Sequence, residues 1–178
     1  MRRLLKVLAV AAALAAATAA AASAEISLEG VYWQVGRVES GRVTSWQNAS
    51  VLRDGPPKLD NRLRARLVLK NAGPLEEGLL LRYSMTARVA PVQGAPADGT
   101  WTVPFHVEER HVPKIGADKT LEVPLEASPA LNDYLNRIGR AGWWPDRIKI
   151  QVMLEPRSGS KQISIVEAVL EVKSEDKP

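Results

Sequence analysis

The two histidines of this 178-residue chain, His106 and His111, stand in the segment FHVEERHV beside Glu108 and Glu109. Imidazole nitrogens and carboxylate oxygens are the ligands that zinc and copper take. On a strand His106 and Glu108, two residues apart, point to the same side. With Glu109 or His111 brought round by a bulge, the group could approach a divalent ion, which makes His106, Glu108 and His111 the metal candidates. A metal centre ordinarily takes three or four well-placed ligands, and this spacing supplies two. The segment fits better as the polar outer face of an edge strand with ordinary charge pairing, so no metal is assigned.

Nucleophilic and acid–base chemistry have less to stand on. Cysteine is absent, no serine sits in a Gly-x-Ser-x-Gly elbow, and no Gly-rich phosphate loop or dinucleotide fingerprint occurs. The adjacent carboxylates Glu76-Glu77 and Glu108-Glu109 face opposite ways on a strand and cannot share a substrate. No catalytic residue and no cofactor is therefore assigned, and the expectation is a protein that is not an enzyme.

Two other groups have the chemistry of binding. Trp143 and Trp144 fall between Gly142 and Pro145 on what reads as a loop, where two indoles form either an aromatic platform for a sugar or a protein, or a plug under a neighbouring helix. Arginines recur at alternate positions of Arg62–Val89, at Arg62, Arg64, Arg66, Arg82 and Arg88. If the two halves of that stretch pair in one sheet, they build a basic wall able to hold an acidic polymer. If they lie in opposite sheets, the arginines divide between two outer faces, where Glu122, Glu155, Glu167 and Glu171 offset them. Arg82, Arg88, Trp143 and Trp144 are the partner-binding candidates.

The elements that must carry these residues are mostly strands. RLRARLVLK alternates Leu63, Ala65, Leu67 and Leu69 with a face that shows Arg62, Arg64, Arg66 and Lys70, and LLLRYSMTARV alternates Leu79, Leu81, Tyr83, Met85, Ala87 and Val89 with one that shows Arg82, Ser84, Thr86 and Arg88, the period of half-buried strands. Upstream, ISLEGVYWQVGRV and VTSWQNASVL form a hairpin about Ser40-Gly41. Residues 53–61, with Pro56 and Pro57, read as a loop, as do 91–99. TWTVPFHV turns Trp101, Val103, Phe105 and Val107 inward, with Pro104 marking an edge strand or bulge. Leu121, Val123 and Leu125 belong to the next strand. A helix near 128–140 starts at Ser128 as N-cap with Pro129 behind it and carries Leu131, Tyr134, Leu135 and Ile138 at 3–4 spacing. Ile148, Ile150, Val152 and Leu154 then face inward, Arg157–Ser160 closes a hairpin, and a bulge near Val166 reconciles the two phases of the last strand.

The chain opens with Arg2, Arg3 and Lys6 ahead of an Ala/Leu/Val run ending Ala22-Ser23-Ala24, the pattern of a cleaved secretory signal over 1–24. A retained membrane anchor is the alternative, but the run is shorter than the roughly 20 residues a spanning helix needs. Without those three bases the 24 Lys+Arg and 20 Asp+Glu of the whole chain become 21 against 20, so the basic pI is no argument for nucleic acid or an anionic membrane. The remainder, 25–174 with a frayed tail at 175–178, has the size of one domain that is stabilised by packing rather than disulfides.

About seven or eight strands with one late helix predict an all-β, antiparallel sandwich. From Arg62 to Lys173 the order resembles the immunoglobulin and fibronectin type III families: a strand pair joined by the NAGP loop, an edge strand, the PKIGADKTLEVPL return, a helix-bearing connection and a final hairpin. Tyr83 stands where an immunoglobulin domain keeps a core Trp, and the Cys-Trp-Cys set is missing. The resemblance implies a fold and no activity. The expectation is an exported, non-catalytic domain, periplasmic or extracellular, that contacts a protein partner in the cell envelope, with no nucleic acid and no membrane insertion after cleavage. Its alternatives are a glycan-binding module on Trp143 and Trp144, and a metal-binding or hydrolytic protein centred on His106 and Glu108.

Overall fold

The computed structural model describes residues 26–55, 63–91, 99–155 and 164–174; the signal-like segment, the hairpin at 157–160 and the tail lie outside them. Over these described residues the protein is all-β with one short helix. Ten strands run as β1 (Ile26–Glu39), β2 (Arg42–Asn48), β3 (Val51–Gly55), β4 (Leu63–Asn71), β5 (Leu80–Pro91), β6 (Thr100–Trp101), β7 (His106–His111), β8 (Thr120–Glu126), β9 (Trp143–Leu154) and β10 (Ser164–Ser174), with helix α1 (Ser128–Arg140) before β9. They form two sheets. The first has the order β2-β1-β4-β8; the second has β3-β10-β9-β5-β6, with β7 also on β5. All pairings are antiparallel except that of β3 with β10.

The alternating leucines explain why the chain takes this form. Leu63, Ala65, Leu67 and Leu69 of β4, Leu81, Tyr83, Met85 and Ala87 of β5, and Ile148, Ile150 and Val152 of β9 are all buried. Residues of both sheets join in one buried cluster, and each large side chain in it contributes about 1.5–3 kcal/mol relative to exposure. Trp33 of β1 reaches from the first sheet to the second, its Nε1 donating to the Ala168 carbonyl of β10 at 3.1 Å. β4 and β5 lie in different sheets, so Arg64 and Arg66 are on one side of the molecule and Arg82 and Arg88 on the other. Arg62 is outside the described residues.

Several local expectations are corrected. VTSWQNASVL is not one strand: Ala49 and Ser50 carry the chain from the first sheet to the second, and β3 runs to Gly55 inside the stretch expected to be a loop. In 100–111 the ladder breaks between β6 and β7, because Pro104 has no amide to give. Val103 and Val107 are exposed and Trp101 is 40% exposed, while Phe105 alone turns in, stacked on Tyr134 of α1 with ring centroids 4.3 Å apart. The helix N-cap is Ala127, without a side-chain bond, rather than Ser128; Arg137 and Arg140 occupy its last turn. β10 needs no bulge at Val166, since its pairing with β9 is unbroken from Ser164 to Glu171. Leu170 and Val172 are buried and Ile165 is simply an exposed aliphatic on the outer face.

Candidate functional site

The expected metal group divides between two faces of β7. Glu108 is in register with Tyr83, and His106 with Met85. Tyr83 Oη donates to Glu108 Oε2 at 2.6 Å, and the His106 ring tilts against that of Tyr83 at 5.5 Å. His106 Nε2 lies 3.3 Å from the same Glu108 oxygen but off the hydrogen-bonding direction. Burial, and then the bond to Glu108, hold the Tyr83 phenol above its ordinary pKa. His111, an odd number of residues away, is exposed on the other face of the strand. Among the described residues no three His, Asp or Glu side chains converge on one point. Arg110, on the same face as His106 and Glu108, sends Nη1 to the Pro124 carbonyl of β8 at 2.6 Å and so links the open edges of the two sheets. Inward-pointing charge on an edge strand also discourages edge-to-edge association.

Trp143 and Trp144 are not on a loop. They begin β9, in register with Pro91 and Ala90, so their side chains leave opposite faces of the strand. Trp143 is 44% exposed, whereas Trp144 packs against the core. The arginines on this sheet are engaged. Arg82 Nε meets Glu109 at 2.9 Å, and Arg88 forks onto both oxygens of Asp146 at 3.0 Å. Asp146 is the residue that the β5–β9 register skips between Arg88↔Arg147 and Val89↔Pro145; the bulge is what brings its carboxylate to Arg88.

The outer face of the first sheet is different. Register sets Asn48, Gln34 and Arg64 side by side across β2, β1 and β4, and their side chains form a chain of bonds. Gln34 Nε2 donates to Asn48 Oδ1 at 3.1 Å, and Arg64 Nε donates to Gln34 Oε1 at 3.0 Å. The Arg64 guanidinium lies over the Trp46 indole, 4.0 Å from its centroid. Gly36, opposite Trp46, makes room for that ring: a Cβ there would come within 2.8 Å of Val43 and 3.3 Å of Trp46. One row further along, Arg66 binds Glu122 at 2.6 Å and stands over Tyr32, at 5.5 Å, which is itself 43% exposed.

Arg64 differs from the other arginines described on these faces in what it lacks. Arg66, Arg82, Arg88 and Arg147 each meet a carboxylate. Among the described residues Arg64 has the indole and the carboxamide and no ion pair; Glu126, its register partner on β8, stays beyond ion-pairing distance. Its Nε is occupied, its plane is fixed, and its two terminal nitrogens remain for a bidentate acceptor. This cluster escaped the sequence reading because its members come from three strands. The one local signal was Gly36, a glycine inside a strand, which marks a close approach.

No protein-family model and no curated protein matches this chain. Among the described residues no helix is long and apolar enough to cross a membrane.

Proposed function

We propose that this chain is an exported, non-catalytic domain of immunoglobulin type that works through protein contacts in the cell envelope, and that its partner docks on the outer face of the first sheet through an acidic side chain received by Arg64. The immunoglobulin reading draws on strand order: β1, β4 and β8 in one sheet, β10, β9 and β5 in the other, and a short early strand running parallel to the last. Export draws on the basic, apolar and small-x-small pattern of residues 1–24. The docking site rests on one observation, the pre-oriented and unpaired fork of Arg64 on Trp46. Trp, Tyr and Arg are the residues that dominate binding energy at protein interfaces, and an arginine already ordered loses little freedom when it binds. A glycan platform at Trp143 and Trp144 has less support, because adjacent strand residues cannot present two rings to one sugar.

The test compares variants of the two outer faces in pull-downs from envelope extract followed by cross-linking at Tyr32. A partner that binds the wild-type protein is expected to be lost on Arg64→Gln or Trp46→Ala, each costing about 2 kcal/mol or more, and kept by Arg82→Gln. A partner insensitive to Arg64→Gln and Trp46→Ala, or one lost only with Arg82→Gln, overturns the assignment.

A further inference from the structure

The last strand is covered along only part of its outer edge. β3 pairs with β10 from Glu171 onward, so over residues 164–169 the side of β10 away from β9 has no strand neighbour among the described residues. The Glu171 amide donates toward β3, to the Ser50 carbonyl at 2.9 Å. Peptide groups of alternate residues on a strand point the same way. The N–H and C=O groups of Ile165, Glu167 and Val169 are therefore aimed at that same open side. Ile165 is 53% and Val169 39% exposed, and Glu167 between them meets Lys149 at 3.7 Å. Beside this edge lies a groove of about 300 Å³, walled by Val31 and Trp33 of β1, Asn48 and Ser50 at the crossing between sheets, and Ala168 of β10.

We propose that β10 takes up an added β-strand along Ile165–Val169, supplied as an extended segment of a partner protein. Unpaired main-chain groups on a strand edge are a template for such an addition, with alternate side chains setting specificity. The incoming strand pairs with Ile165, Glu167 and Val169. It carries aliphatic residues beside Ile165 and Val169, a basic residue beside Glu167, and small or β-branched side chains turned into the groove. A second copy of this chain fits less well, since a two-fold pairing centred here sets Glu167 against Glu167, like charges directly opposite. The proposal rests on the reading of the domain as a protein-binding module, but the added strand lies along β10, and its groove meets the Arg64 face only at Asn48 and Tyr32.

The probe is the capped heptapeptide Thr-Val-Thr-Lys-Thr-Val-Thr, added to the full chain and followed by residue-resolved amide hydrogen exchange. At a peptide concentration about ten times Kd, exchange of the Ile165, Glu167 and Val169 amides is expected to slow about tenfold. N-methylation of the peptide's alternate amides is expected to abolish that protection. Val169→Pro removes one edge donor without touching the ladder to β9, and is expected to weaken binding while leaving Tm near that of wild type. Protection unaffected by N-methylation, no protection at these three amides, or protection that grows with protein concentration in the absence of peptide overturns the proposal. Arg64→Gln leaves peptide binding unchanged, so failure of the Arg64 site and failure of this one read out separately.

Discussion

The phenol of Tyr83 donates from inside the core to a carboxylate at its rim, an arrangement with a definite pH consequence. The folded chain holds this proton more tightly than the unfolded chain, because burial and the bond to Glu108 both disfavour the phenolate. The resulting stability is fully present below the ordinary tyrosine pKa of about 10 and is lost as pH rises above it. Denaturant unfolding measured from neutral to strongly alkaline pH is expected to show a shallower alkaline decline for Tyr83→Phe than for wild type, although the variant starts about 1 kcal/mol less stable. Parallel curves through the alkaline range would sink this account. At this scale the sequence was readable where a residue's partner is its period: Tyr83 was expected inside from alternation alone. It was unreadable where the partner is set by register. Nothing in the neighbourhood of Arg64 in sequence reveals Gln34, Trp46 or Asn48, and nothing near Arg88 reveals Asp146.

The β1–β2 hairpin is the element on which the Arg64 site depends most. Past Val35, β1 has no contact register with β4, so the end of the hairpin is a two-stranded ribbon, and β2 is exposed along most of its length. Ser40 and Gly41 form its turn with φ of 51° and 78°, the double left-handed conformation of a two-residue hairpin loop. A side chain at Gly41 meets no atom within 4 Å, so Gly41→Val acts through the backbone alone, at about 1–2 kcal/mol. That cost falls on the hairpin: amides of β2 are expected to exchange faster, with global Tm nearly unchanged. An equal fall in protection across β4 and β9 would show that the hairpin is not a separate unit. The Ser-Gly turn was legible because its chemistry is local. Two other elements were misread for the same reason, since Gly142 and Pro145 resemble loop punctuation although β9 runs through Trp143, and the alternation of 101–107 continues on paper across a break that Pro104 imposes.

For the whole molecule, the division of β4 and β5 between sheets decides the electrostatics. Four of the arginines that look like one ladder in sequence stand on two outer faces, and three of those four are paired with carboxylates. No extended basic surface results among the described residues, so retention on heparin is expected to end at or below physiological ionic strength, where exposed charges more than about 8 Å apart are screened. Retention well above that would show a continuous basic patch. The pairing of β3 with β10 also has a kinetic consequence. It joins the first third of the chain to its last strand, Val51 to Glu171, and Trp33 likewise waits for Ala168. Contacts this distant in sequence slow folding, and a chain produced from its amino end exposes β3 and the Trp33 indole without their partners until β10 arrives. β3, an edge strand of the finished domain, is thus also among the last to be paired during its folding, and in that interval it presents a hazard of aggregation.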